Sequence, residues 1–338
     1  MSMSMRAVEV DRPGGELKLV ERPVPDPGPD RVRIKIEACG VCRSDVATKD
    51  GLFPGIVYPR VPGHEIVGRI DSVGANVVAW KLGERVGVGW HGGNCGHCNE
   101  CRAGDFTNCE NREICGITYD GGYAEYMIAR QSALVRVPDE LEGAAAAPLL
   151  CAGLTSYNAM RNSGARAGDV VAILGIGGVG HLAVQFASKM GFKTIAVSRG
   201  RDKKVLVDGL GADAYIDADV DDIAAELQAM GGARVIFATA PDAKLISSAV
   251  SGLTPRGKLF IVAAARDPLT IFTPTILSGR SIHGWGAGNT RDSEDMLAFT
   301  LQSGVRPRIE KFPLERAAES YAHMLTGRAQ FRAVIVPD

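Results

Sequence analysis

Between residues 39 and 65 the chain carries Cys39-Gly40-Val41-Cys42-Arg43-Ser44-Asp45 and then Gly63-His64-Glu65. Thiol, hydroxyl, imidazole and carboxylate groups thus sit together on segments too short to form a core of their own. Thiolate and imidazole are ligands for a borderline-soft cation such as zinc, and a catalytic zinc takes three of them with one position left open. Cys42 and His64 can supply two of the three. In isolation the pair reads better as a buried cysteine and a satisfied histidine. Further along, Cys95, Cys98, Cys101 and Cys109 follow C-x2-C-x2-C-x7-C spacing. Tight turns at x2 put successive thiolates on one side of the chain, and the fourth closes a tetrahedron, the pattern of a structural zinc. Four metal-free thiols in one hydrophilic loop would be an oxidation hazard. His97, inside the same loop, reads as a solvent-facing spacer.

The elements that must position these groups divide into two textures. Residues 6–10, 31–38, 66–73, 85–90 and 121–137 are β-like, with alternation in Val32-Arg33-Ile34-Lys35-Ile36 that suits a strand with one wet face. After residue 150 the pattern changes. The apolar run Val170-Val171-Ala172-Ile173-Leu174 leads directly into Gly175-Ile176-Gly177-Gly178-Val179-Gly180 and a helical run over 181–190. Strand before and helix after is the context that gives G-x-G-x-x-G its meaning: the glycines permit a tight turn and close approach of a pyrophosphate to the helix start. Strands at 194–198, 214–217, 234–239, 258–263 and 281–285, alternating with helical stretches, predict a doubly wound parallel sheet. The expected organisation is α/β: a mostly β domain at 1–150, a Rossmann domain at 151–286, and a tail at 287–338 returning to the first.

Composition narrows the function classes. The 338 residues are 46% hydrophobic and 23% charged with a formal net charge of −1, which offers no electrostatic footing for nucleic acid or an anionic membrane. No apolar run approaches a membrane span, and the alanine-rich 143–154 is interrupted by Pro148. Eight cysteines behind an N-terminus without a signal-type apolar core point to metal or catalytic roles, and the expected location is cytoplasmic.

The whole chain resembles the zinc-dependent medium-chain dehydrogenases, the alcohol dehydrogenases with a GroES-like catalytic domain. Gly63-His64-Glu65-x2-Gly68-x5-Gly74-x2-Val77 matches that family's zinc signature, and the four-cysteine lobe and glycine fingerprint follow in order. Cys-Gly-Val-Cys at 39–42, Trp90 and Pro148-Leu149-Leu150-Cys151-Ala152-Gly153 are most similar to the bacterial and yeast-type primary alcohol dehydrogenases and their cinnamyl-alcohol relatives. The resemblance implies that Cys42, His64 and Cys151 hold a catalytic zinc and the lobe a second zinc. It implies Ser44 as the hydroxyl that takes the substrate proton, Asp45 as the carboxylate orienting the imidazole, and Glu65 as a carboxylate able to approach the metal from behind. Arg43 falls where the family contacts cofactor phosphate. Many members carry histidine where this chain has Ala47, so the proton's last step would pass through cofactor ribose or water. Trp90 and Phe53 resemble walls of an apolar pocket. The implied partners are a small alcohol or aldehyde and further copies of the chain, as dimer or tetramer.

Cofactor choice is read at the end of the second Rossmann strand. An acid there grips the ribose hydroxyls of NAD, whereas arginine accommodates the 2′-phosphate of NADP. This chain has Ser198-Arg199-Gly200-Arg201, which favours NADP(H), with Arg201 and Lys203 adding to the field. The alternative is a basic turn with Asp202 as the ribose acid and NAD(H) as cofactor.

Overall fold

The strand Arg31–Gly40 is the axis of the first half of the chain. Its side chains alternate, with Val32, Ile34 and Ile36 buried, so one face joins a core that also takes Ile66, Ile70, Val86 and Val88. In the computed structural model, which describes residues 3–200, 202–329 and 331–337, this strand lies inside a seven-stranded sheet. Across that sheet run Ile309–Pro313, Arg332–Val336, Arg31–Gly40, Ile66–Val73, Arg85–Val88 and Leu134–Arg136, with Tyr126–Arg130 also pairing to Arg31–Gly40. A separate hairpin joins Ser4–Glu9 to Lys18–Pro23, a strand the sequence reading passed over because its outward residues interrupt the apolar pattern.

The second half builds a parallel sheet. Its six strands are Val170–Leu174, Lys193–Ser198, Ala214–Asp217, Ala233–Ala238, Leu253–Ile261 and Ser281–Gly284. Counted in chain order, they lie as 3-2-1-4-5-6. Central strands such as Val170–Leu174 are apolar on both faces because helices cover both sides. In this order the first and fourth strands diverge at a switch point, where ligands of such sheets bind.

Two units result: Met1–Leu154 with Gly288–Asp338, and Thr155–Ala287. The tail after Gly288 thus belongs with the first half, through pairing of Val334 and Ile335 with Gly40 and Cys39. The reading from sequence put the first boundary after residue 150. The structure puts it four residues later, inside the helix Ala152–Arg161, because Cys151 packs against Cys42 of the first unit.

Candidate active site and metal centres

Strand pairing assembles the first site. Cys39 is opposite Ile66 in the antiparallel ladder, so the segments just beyond, Gly40-Val41-Cys42 and His64-Glu65, run side by side. The fit is close: a side chain at Gly40 would put its Cβ 1.9 Å from Glu65 Oε2. Cys42 then starts the short turn Arg43–Asp45, which Asp45 locks by accepting the Cys42 backbone N–H at Oδ2, 2.9 Å. Cys151 arrives from the far end of the unit, between the turn Ala147–Leu150 and the helix that follows.

The ligand atoms of Cys42, His64, Glu65 and Cys151 all lie within 4.8 Å of one another. Two thiolate sulfurs on a tetrahedral zinc stand about 3.8 Å apart, as Zn–S bonds near 2.3 Å require. Here Cys42 Sγ and Cys151 Sγ are 3.9 Å apart. His64 Nε2 is buried and has no hydrogen-bond partner among the described residues, while its Nδ1 lies 2.9 Å from Asp45 Oδ1. A buried unpaired nitrogen costs free energy unless something binds it. Three soft donors, one of them that nitrogen, fit zinc. Trp90 packs edge-on against the imidazole, with ring centroids 4.9 Å apart.

Charge in this pocket is arranged around the thiols. The contact with Cys151 holds the Cys42 thiol well below its ordinary range, and His64 adds to this. The same contact, with burial, pushes Cys151 well up. Burial pushes Glu65 up to about 8, opposed by Arg332. Arg332 Nη2 donates to both Glu65 oxygens at 2.5 Å, and both side chains are enclosed.

In the cysteine lobe, Cys95, Cys98, Cys101 and Cys109 form a second group with sulfurs within 4.8 Å of one another. Cys98 and Cys109 are 3.8 Å apart and Cys109 and Cys95 3.6 Å, again the spacing of a tetrahedral zinc. Backbone N–H groups donate to sulfur, from Cys95 to Cys109 and from Cys101 to Cys98. Hydrogen bonds from the His97 and Cys98 amides bring Cys95 down to about 6, so this sulfur is ready as a thiolate. His97 points to solvent, its ring against the Cys95 carbonyl.

The third cluster is the glycine turn at the sheet's switch point. Gly175 follows the first strand in a left-handed conformation (φ 92°), and a Cβ on Gly180 would come within 1.9 Å of the Gly175 carbonyl oxygen. Gly177 has nothing within 4 Å of where a side chain would stand, so its backbone is open to close approach. Gly178 and Val179 complete the turn into the helix Gly180–Lys189. This bare cradle fits a dinucleotide pyrophosphate. Thr239, at the end of the fourth strand, donates to the Gly175 carbonyl at 2.5 Å and braces the turn from across the switch point.

At the end of the second strand, Ser198 is buried and Arg199 is 61% exposed at its side chain. Arg199 pairs with Asp242 at 2.5 Å and more loosely with Asp219 at 3.6 Å. The nearby carboxylate of Asp217, paired in register with Ser198, accepts the Gly200 and Asp219 amides and so shapes the turn. Lys203 is exposed, and Arg201 lies outside the described residues. Arg43 and Ser44 are exposed on the turn after Cys42, and Phe53 is half-buried.

Two residues of the first site escaped sequence reasoning. Arg332 opens the final strand, which the apolar pattern alone starts at 333. Its signal was a lone cation ahead of four apolar residues. Tyr123, whose hydroxyl donates to Asp45 Oδ2 at 2.9 Å, is 78 positions away and left no local signal.

A domain of β strands with two cysteine-bearing donor clusters, joined to a doubly wound sheet with a glycine cradle, is the architecture of a zinc-type oxidoreductase. The chain belongs to the zinc-binding alcohol dehydrogenase family: residues 28–139 match the alcohol dehydrogenase GroES-like domain and 178–302 the zinc-binding dehydrogenase domain. It is similar to alcohol dehydrogenase notN of an Aspergillus species, 42% identical with 96% of each chain covered. Among solved structures it is similar to CAD from Helicobacter pylori complexed with NADP(H), 25% identical, TM-score 0.88, with 99% of each chain covered. It is also similar to an NAD-dependent alcohol dehydrogenase, 27% identical, TM-score 0.90, covering 98% of this chain and 99% of that one. No described helix is long and apolar enough to cross a membrane.

Proposed function

We propose that this enzyme interconverts a primary alcohol and its aldehyde, with Cys42, His64 and Cys151 holding a catalytic zinc and the cysteine lobe a second, structural one. The observation that carries the reading is the convergence of two thiols on a buried imidazole nitrogen with no partner of its own. Bound there, zinc supplies Lewis acidity to the substrate oxygen, and a nicotinamide supplies the hydride acceptor. The chain's own residues do the rest. Asp45 faces His64 Nδ1, keeps its proton on that nitrogen and leaves Nε2 as the ligand. Ser44 Oγ, on the exposed turn beside Cys42, takes the substrate hydroxyl proton and passes it to cofactor ribose or water. Trp90 walls the imidazole with an apolar surface. Glu65, gripped by Arg332, would offer a bound metal a further donor from the same cluster. By family resemblance the enzyme works as a dimer or tetramer, and its eight cysteines suit the reducing cytoplasm.

For the cofactor we favour NADP(H). Support comes from the end of the second strand, where Ser198 and Arg199 stand in place of an acid and the neighbouring Asp217 is engaged by loop amides. Arg43 adds a cation for cofactor phosphate. The pairing of Arg199 with Asp242 favours the second reading, NAD(H), because a 2′-phosphate must compete with that carboxylate. The test is kcat/KM over a panel of alcohols with each cofactor, for wild type and Arg199→Asp. NADP is expected to lead in the wild type, with the substitution shifting preference towards NAD. A wild type that uses NAD better refutes the cofactor assignment, and oxidation confined to secondary alcohols refutes the substrate class.

A further inference from the structure

Asp45 does more than face His64. Its carboxylate is 1% exposed and meets three groups: the Cys42 amide and the Tyr123 hydroxyl, each 2.9 Å from Oδ2, and His64 Nδ1 at 2.9 Å from Oδ1. The first is a turn contact and the second comes from a distant part of the chain. Tyr123 is fully buried, and its backbone is clamped on both sides: its N–H donates to the Pro62 carbonyl, and its carbonyl accepts from Val8. Its ring lies against the backbone of Gly63, where a Cβ would come within 2.6 Å of Tyr123 Cδ1 and 2.8 Å of Cys39 Sγ. Gly63 also sits at φ 104°, a conformation open mainly to glycine. The glycine ahead of His64 therefore makes the room through which a phenol from another segment reaches the carboxylate behind the imidazole. Burial, with the nearby Asp45 charge, holds the phenol well above its ordinary range, so it is a donor to that carboxylate.

We infer that Tyr123 is a positioning residue for the metal-binding imidazole, its hydroxyl fixing the Asp45 carboxylate that in turn orients His64. The inference rests on the reading of Cys42, His64 and Cys151 as a zinc site. A carboxylate can swing about its own bond, and one free to do so offers His64 Nδ1 a variable acceptor. Donors on Oδ2 from the turn and from Tyr123 pin that oxygen, which holds Oδ1 2.9 Å from His64 Nδ1, a contact close enough to limit how the ring can turn. Groups hydrogen-bonded behind a metal ligand change metal affinity by about 10–100-fold when removed. One step further out, the lower end of that range is the expected effect.

Tyr123→Phe removes the oxygen and keeps the ring that fills the space beside Gly63. Zinc occupancy of the two sites is followed by competition with a chelator, and the Cys42 site is also read from the absorption spectrum of cobalt exchanged into it. The expected result is about tenfold weaker binding at the Cys42 site and a shifted cobalt spectrum. Cysteine-lobe affinity and the melting temperature at saturating zinc should be nearly unchanged. Asp45→Ala should abolish the difference, so that adding Tyr123→Phe to it costs no further affinity. Unchanged affinity and spectrum in Tyr123→Phe overturn the inference alone, as do losses that simply add in the double variant. Equal weakening of both zinc sites overturns it in favour of general packing. Wild-type protein that binds no metal at Cys42, His64 and Cys151 overturns the functional reading and this inference with it.

Discussion

Replacing Arg332 by methionine should destabilise the first unit severely while leaving its surface unchanged. Arg332 and Glu65 are enclosed, with side-chain exposures of 5% and 0%, and Arg332 Nη2 donates to both carboxylate oxygens at 2.5 Å. Methionine keeps most of the volume but leaves Glu65 buried beside two cysteine sulfurs without its guanidinium partner. Breaking a buried pair in this way costs about 3–5 kcal/mol. For a unit of this size that corresponds to a fall of about 6–20 °C in Tm, at roughly 2–4 °C per kcal/mol. Glu65 has one escape, which is to take up a proton. Burial already raises it from 4.5 to about 8 with the arginine present, and removing the arginine raises it further. A carboxyl whose folded value lies above its unfolded value favours folding when protonated. The deficit of the variant relative to wild type should therefore be smallest and constant below about pH 8, where both folded forms hold the proton, and grow as pH rises above 8. Thermal and denaturant unfolding across that range are the assays. Arg332→Met/Glu65→Gln, with no charge left to bury, should recover most of the loss. A single variant within about 1 kcal/mol of wild type above pH 8, or a deficit that shrinks as pH rises, refutes the reasoning.

Two further outcomes follow from the sites. Ser44→Ala should lower turnover by about 10²-fold, the scale of positioned acid–base catalysis, with zinc content unchanged; near-normal turnover across pH would assign the proton to another group. Chelation should remove the Cys42, His64 and Cys151 ion first and abolish activity while the cysteine-lobe ion remains, because one ligand set is open and the other closed; metal analysis giving one zinc or none in fully active protein would overturn the two-site reading.

The convergence of four sulfurs in the cysteine lobe was legible from the sequence because they lie on one short loop, where spacing alone dictates geometry. The glycine turn was legible for a related reason: a strand, a tight turn and a helix are consecutive in the chain, and only glycine tolerates the approach of Gly180 to the Gly175 carbonyl. The doubly wound sheet could be read from its alternating apolar strands, though their order 3-2-1-4-5-6 comes from crossovers that no local pattern records. The first site is different. Cys42, His64 and Cys151 announce a metal only by resemblance, since strand pairing and a turn 109 residues away bring the thiols together. Tertiary structure alone disclosed what surrounds them. Tyr123 reaches Asp45 through space left by Gly63, and Arg332 meets Glu65 across 267 residues. It also showed Arg199 already paired with Asp242, a competition invisible in a basic turn read by itself. Local spacing encodes chemistry when the reacting groups share a loop. When they come from separate strands, the hydrogen-bond register and the packing of the core decide which side chains meet, and those are properties of the folded chain.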